Sequence, residues 1–553
     1  MFKTLWMMLL CGLTISAVAL AAPTSPSDRE SIEQQQRELL RQNQQQREEL
    51  QNITPILNHP SIEVAPSGAC FTIDKITLEG STLISRTERD ALLSPYLHQC
   101  LDLNRINLLV QQVSDWYMQR GYITSRAFLS EQDLATGELT LLIMEGHLEK
   151  ILIDNYAERI LKTTFPGLEG KILNLRDVEQ GMEQLNRTRK NPVKIEILPS
   201  EQAGYSIVNL TGEPEFPVMG SLGFDNSGQK STGTGQLNAS LTVNNVLGLA
   251  DQWFVSGARS SDFAHSYNAR SVQAGVSLPY GYWLFDYNYS YSDYQNTILN
   301  NGYDWASTGD TQTHRLNMSR VLYRDGDTKT SMALGITHRI GRNYLNDSLL
   351  ESSSRKLSSV SLGVNHGQKL WSGFATFNPS FTRGVPWLGA EDDKDKRGDV
   401  PRAEFSKWSF SGSYYLPLAQ DWTYLTSIYG QWSENRLYGS ERLTIGGESS
   451  VRGFKEQYLS GDNGGYWRNE INYALFTLPW LGNISSVAAV DGGYLRPDKQ
   501  DSYASGTLWG ASIGLSSNAS HFYSQLSVGW PLSYPDWLKP DRVAVYYRIG
   551  TAF

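Results

Sequence analysis

Val543-Ala-Val-Tyr-Tyr-Arg-Ile-Gly-Thr-Ala-Phe553 closes the chain on a strict alternation. Val543, Val545, Tyr547, Ile549 and Thr551 fall on one face of a strand, and Ala544, Tyr546, Arg548, Gly550 and Ala552 on the other; the final residue, Phe553, is aromatic. Successive strand side chains point to opposite faces, so the segment offers one greasy surface and one small or polar surface, as a strand between lipid and a watery lumen requires. This pattern predicts a mostly β chain that forms an outer-membrane β-barrel.

The other end of the chain agrees. Met1-Phe-Lys-Thr supplies a positive charge, residues 5–20 an apolar core, and Ala19-Leu-Ala21 a small-x-small cleavage site, so residues 1–21 read as a secretory signal. Reading Cys11 as a lipid attachment site is weaker, because Leu10 stands where a small residue is expected. No run of about 18 or more uncharged apolar residues follows the signal, and the mean hydropathy of -0.38 is too polar for a helical membrane protein. A barrel is compatible with that value because only alternate residues face lipid, and 29 Tyr, 15 Trp and 18 Phe would furnish interfacial girdles. With 57 acidic against 48 basic residues, the net charge of -9 gives no reason to expect nucleic acid as a partner.

Removal of the signal leaves Cys70 and Cys100, an even number in an exported chain, so one disulfide is expected. Closing that loop would stabilise its domain by roughly 3–4 kcal/mol on the chain-entropy model.

Residues 22–52 form a Gln-rich, charged unit. Ser27 with Glu30 three residues later has the form of a capping box, and residues 27–51 contain no Gly or Pro, so a helix is expected. Its apolar residues, Ile32, Leu39, Leu40 and Leu50, are too few for a core-packing stripe, so it belongs in water or in a polar cavity. At ~1.5 Å per residue it would span roughly 37 Å, enough to thread a barrel as a plug; a solvated tail fits the composition nearly as well. Pro55, Pro60 and Pro66 make residues 53–69 an extended linker.

Residues 70–146 then read as strand (71–78), helix (Ile106, Leu109, Val110, Val113, Trp116, Tyr117), strand (122–128) and strand (139–144), and the same order returns in residues 147–214. From residue 215 to 553 the helical period disappears. Sixteen strands would have about 21 residues each with their connections, adequate for ~10-residue spans. The turns at residues 278–283 and 322–326 are expected on the periplasmic side, and the polar stretches 295–311 and 390–402 as surface loops.

Two tandem α/β modules before a barrel resemble the two-partner secretion transporters, the TpsB family, and their relatives in the outer-membrane protein-assembly superfamily. Tyr117-Met-Gln-Arg-Gly121-Tyr122 is similar to the helix-end signature of a first POTRA domain, and Leu175-Arg-Asp-Val-Glu-Gln180 with Leu185-Asn-Arg187 to that of a second. Val451-Arg-Gly-Phe454, within Ile445-Gly-Gly-Glu-Ser-Ser-Val-Arg-Gly-Phe454, resembles the tip of the superfamily's inward-folded loop, here around residues 446–465. Val490-Asp-Gly-Gly-Tyr494 resembles the wall motif whose acid, Asp491, holds that arginine. The Gln-rich helix makes the chain most similar to transporters of contact-dependent growth inhibition toxins, with haemolysin and filamentous-adhesin transporters close. The family pattern has a larger residue near Val490, and residues 487–489 are small and apolar, which leaves the packing around the loop open.

The resemblance implies a latch of Val451, Arg452, Gly453, Phe454 and Asp491, and partner binding at Tyr117, Gly121, Tyr122, Arg176, Asp177 and Glu179. It also implies Phe553 as an assembly signal for the barrel-assembly machinery, and export of one large exoprotein recognised through its amino-terminal secretion domain. An arginine fork suits the latch because it grips a carboxylate bidentately and stays charged. In a water-filled lumen that pair is expected to contribute less than a buried one. The partner's strand would add to a module's sheet edge. A barrel-assembly insertase shares the barrel and loop and is the alternative; a passive porin leaves the modules without a role.

Catalysis finds little support. Gly510-Ala-Ser-Ile-Gly514 matches a hydrolase motif, but it lies in an alternating barrel strand instead of a sharp strand-to-helix turn. The eight histidines are scattered without metal-ligand spacing, so neither a metal nor another cofactor is expected. A serine and histidine side by side on the outer wall, as in barrel phospholipases, is an arrangement that spacing does not address.

Overall fold

The computed structural model describes residues 25–51, 69–153, 158–213, 215–498 and 500–553. The signal, Cys11 and the prolines of the linker lie outside the described residues.

Alternation produces the barrel. In Ala544–Ala552, Ala544 and Tyr546 are buried toward the lumen while Val545, Tyr547 and Ile549 are exposed outward. That strand pairs antiparallel with Val218–Asp225, the first barrel strand, and closes a sheet of sixteen spanning strands; the two-residue strand Ser348–Leu349 only extends one hairpin. Closure leaves no unpaired edge in the membrane. The segment 295–311 is not the loop expected: Trp283–Asn300 and Tyr303–Arg324 stay paired up to Asn300↔Tyr303. Strands of 18 and 22 residues exceed the ~9–11 needed to span, so this hairpin stands above the membrane. Its polar residues are tolerated because the ladder itself satisfies the backbone.

The described residues of 69–146 and of 147–213 form two modules of one topology. In the first, Glu138–Met144 is the central strand, parallel to Lys75–Glu79 and antiparallel to Arg126–Leu129. In the second, Tyr205–Thr211 is parallel to His147–Ile153 and antiparallel to Lys194–Pro199. Ile106, Leu109 and Val113 of the helix Leu103–Gln119 are fully buried against the first sheet, as their spacing predicts. Cys70 and Cys100 are disulfide-bonded at a Cα–Cα distance of 5.2 Å. The strand expected from residue 122 begins only at Arg126, because the chain first turns out of the helix through Gly121, whose φ is +91°. The helix Arg86–Leu93 escaped the sequence reading although Ser85 and Glu88 form a true capping box at its start.

The helix Pro26–Gln51 lies within the barrel. It starts earlier than expected: the Asp28 amide donates to Ser25 Oγ at 3.2 Å, so Ser25 caps it. Glu30 therefore does not define the helix start, and the side chain of Ser27 lies outside the description.

Candidate functional site

The loop around residues 446–465 turns into the lumen and builds a small core of its own. Leu443–Ile445 pairs with Leu459–Gly461, and Leu443, Ile445, Val451, Phe454 and Leu459 bury themselves against Tyr466, Leu495 and Leu508 of the wall. At its tip Arg452 Nε and Nη2 each lie 2.6 Å from an oxygen of Asp491, and the Arg452 amide donates to Asp491 Oδ2 at 3.0 Å. Arg452 Nη1 also meets Glu470 at 3.0 Å, and Glu470 in turn holds Arg468 at 2.8 Å.

This overturns the expectation of a pair weakened by lumenal water. Asp491 is 0% exposed and the Arg452 side chain 8%, because the loop's apolar residues exclude solvent. A buried pair of this kind is costly to break, since removing one partner strands a dry charge and costs about 3–5 kcal/mol.

Small residues on the wall let the loop approach. A Cβ at Gly510 would lie 1.8 Å from the Arg452 carbonyl oxygen, one at Gly529 2.8 Å from the Gly453 amide, and one at Gly493 2.9 Å from Val451 Cγ2. Gly510, the first glycine of the hydrolase-like motif, thus seats the latch within the strand Gly506–Asn518. Val490 faces outward, so a larger residue there would not reach Arg452.

The lumenal helix is held by polar contacts along its length. Arg29 donates to the Lys455 carbonyl at 2.6 Å and lies 4.5 Å over the Tyr458 ring; Gln36 donates to the Thr444 carbonyl at 2.7 Å. The helix therefore touches the latch loop directly. Further down, Asn43 Oδ1 accepts from Thr376 at 3.1 Å and Asn378 at 2.8 Å, and Glu38 pairs with Arg315 at 2.9 Å. Near its C-terminal end Lys329 of the wall contacts Glu49 of the helix at 2.7 Å and also Glu183 of the second module, which Arg324 binds at 2.6 Å. A cavity of about 620 Å³, lined by Gln46, Glu49, Gln184, Arg187 and Asp286 among others, separates helix, module and wall here. Helix, wall and module thus meet in one charge cluster.

The six module residues expected to bind a partner occupy other positions. Tyr117 is fully buried and donates to Glu145 Oε1 at 2.8 Å; the Thr82 and Leu83 amides donate to the same oxygen at 2.8 and 3.1 Å. Burial pushes the Tyr117 hydroxyl up, and Glu145 adds to that push. Burial would raise Glu145 as well, but hydrogen bonds from Thr82, Tyr117 and Leu83 outweigh it and hold the carboxyl below the usual range. Gly121 accepts from the Leu175 amide at 2.8 Å and so joins the two modules, and Tyr122 packs on the first module's core. Arg176 grips Glu179 at 2.8 Å, with Arg324 3.7 Å away, and Asp177 accepts from Tyr282 of a barrel turn. As expected, the turns at residues 278–283 and 322–326 face the modules, and these contacts explain why Arg176, Asp177 and Glu179 meet the barrel and present no open docking face. Glu145, Glu183, Lys329 and Glu470 carried no sequence signal, because only the fold brings their partners to them.

A serine–histidine contact does occur on the outer wall, where His338 Nδ1 lies 2.8 Å from Ser358 Oγ. Ser358 is 2% exposed and donates its proton to the Trp387 carbonyl at 2.9 Å, so His338 is not poised as its base. Among the described residues no group of three His, Cys, Asp or Glu side chains could hold a metal ion.

The chain matches the model of haemolysin secretion/activation proteins ShlB/FhaC/HecB over residues 204–517, an ShlB-type POTRA domain over 71–146 and a POTRA domain over 147–199. It is 55% identical over 545 residues to the outer membrane transporter CdiB of Dickeya dadantii strain 3937, covering 98% of this chain and 97% of that protein. It is 35% identical to the haemolysin transporter ShlB of Serratia marcescens over 86% of each chain. The solved structure of CdiB from Escherichia coli superposes with a TM-score of 0.94 at 55% identity, covering 96% of this chain and 99% of that one.

Proposed function

From the premise that the chain belongs to the ShlB/FhaC/HecB family and is an outer-membrane two-partner secretion transporter of a large exoprotein, its POTRA domains in the periplasm, we propose that its cargo is a contact-dependent growth inhibition exoprotein, released through the barrel by displacement of the lumenal helix. The carrying observation is the bridge from the Glu49 end of the helix through Lys329 to Glu183 of the second module. Cargo that docks on the POTRA domains and moves Glu183 draws the Lys329 ammonium after it, which takes the cation away from Glu49 and loosens the plug. The cargo's amino-terminal secretion domain would add a strand to a free sheet edge; Arg126–Leu129 and Lys194–Pro199 are edge strands of the two modules. The chain then passes extended along a polar lumen, and folding outside prevents return.

In this reading the Arg452–Asp491 latch keeps the loop inside to shape the channel, and Phe553 serves barrel assembly. Its terminal ring lies over Gly220 of the first strand, at the seam where the barrel closes. The test is secretion of a co-expressed partner's amino-terminal fragment by cells carrying wild type or Arg452→Ala, with heat-modifiable gel mobility as folding control. A folded variant that loses at least tenfold of export supports the reading; normal export by it overturns the latch.

A further inference from the structure

The outer wall is uneven in charge. On the spanning strands, side chains that share a face with the exposed Val545, Trp467 and Ile513 are uncharged from Ser406–Ala419 around through the closure to Gln236–Asn244. On the remaining arc, the outward apolar rows end at their extracellular edge in Arg259, Arg270, Arg342, Lys356 and Arg383, with Asp293 and Asp310 between them. Arg259 and Arg270 are directly paired across neighbouring strands. Arg270 is gripped by Asp293 at 2.8 Å, whereas Arg259 lies 4.8 Å over the Phe263 ring. Among the described residues Arg259, Lys356 and Arg383 take part in no salt bridge, which leaves their charge to face outward.

An apolar groove of about 220 Å³ lies on the same face directly below the Arg259–Arg270 pair. Its floor is Ala274 and Val276, its walls Trp253 and Val255 on one side and Tyr287 and Tyr289 on the other. The register sets Ala274 four residues from Arg270, or about 13 Å along a strand, well within the length of an acyl chain. We propose that this arc is a binding site for a phosphate-bearing lipid of the outer leaflet, its phosphate against Arg259 and Arg270 and one acyl chain in the groove over Ala274. Charge complementarity selects an anionic head, and the groove beneath it selects a lipid over free phosphate. Arginine is suited to the task because its planar fork grips phosphate oxygens bidentately. Lys356 and Arg383 extend the same field for a second phosphate or a neighbouring molecule.

The experiment uses the full chain in mild detergent, stripped of lipid and titrated with fluorescent bisphosphorylated lipid A. Wild type is compared with Arg259→Gln/Arg270→Gln, with Ala274→Trp to fill the groove, and with Arg320→Gln as a cation outside the site near the periplasmic end. Heat-modifiable mobility confirms folding of each. The expected result is at least tenfold weaker binding by the double variant and by Ala274→Trp, no change for Arg320→Gln, and no displacement by millimolar inorganic phosphate. Equal binding by all variants, equal binding of dephosphorylated lipid A, or displacement by phosphate alone would each overturn the proposal.

Discussion

A single missing side chain decides whether the inward loop can sit where it does. Gly510 leaves no space for a Cβ against the Arg452 carbonyl, and that oxygen is backbone, so it moves only if the loop moves. Gly510→Val should therefore unseat the latch, at about 1–3 kcal/mol or more of overpacking, and depress secretion much as Arg452→Ala does. Gel mobility with graded heating measures the stability loss, and export measures the functional one. In the first module the residue-scale lever is Glu145. Its folded carboxyl is held below the usual range, so its hydrogen bonds contribute fully above the unfolded value of about 4.3 and are lost as pH falls through the lower folded value. Protection of the Thr82 and Leu83 amides, taken relative to their intrinsic exchange rate at each pH, should stay constant from neutrality to about pH 5 and fall in more acid solution, whereas Glu145→Gln should be less protected throughout with a weakened pH dependence.

Among the elements, the lumenal helix is unusual because almost nothing apolar retains it. Ile32 and Leu50 are buried, but its remaining contacts are amides, carboxylates and guanidinium groups that can exchange with water at modest cost. That makes it a removable element where an apolar helix would be permanent. Lys329 gathers Glu49 and Glu183, so Lys329→Met leaves two facing carboxylates and a loss of ~1.5–3 kcal/mol at the base of the helix. More frequent channel openings are expected in planar bilayers, with Lys329→Arg near wild type. Unaltered openings in Lys329→Met would show that this end of the helix does not govern the plug. The helix was readable from its composition, and its length was right to within a residue or two. Its site inside the barrel was expected as well, since a polar helix fits a polar lumen, but composition made a solvated tail nearly as good, and the contacts with Lys455, Thr376 and Arg315 decide between the two.

At the scale of the whole molecule, the loop meets the barrel through an apolar core and one buried ion pair, whereas helix, wall and second module meet through polar and charged contacts. A sixteen-stranded barrel emptied of its helix is wide enough for a continuous water path, so deleting residues 25–51 should raise conductance severalfold in bilayers while the barrel still runs as a heat-modifiable band. An unchanged conductance would mean that the loop alone closes the pore. Period-two alternation, repeated turns and the repeated strand–helix–strand order were enough to establish a barrel behind two α/β modules, since each depends only on neighbours along the chain. The motif around Arg452 and its partner acid Asp491 were legible only through their resemblance to the superfamily's loop-tip and wall motifs, because residues 39 apart share no local pattern. The contacts of Tyr117, Arg176, Asp177 and Glu179 were not: the motifs marked these residues as special, and only folding brought Tyr117 to Glu145 and the other three to the barrel turns. The dryness of the Arg452–Asp491 pair, the Glu49–Lys329–Glu183 bridge and the basic arc on the outer wall likewise depend on strands far apart in sequence coming side by side. Local pattern therefore determined which elements form, and tertiary structure alone decided which charges are paired, buried or left facing the lipid, because burial and distance are properties of the closed barrel and not of any segment within it.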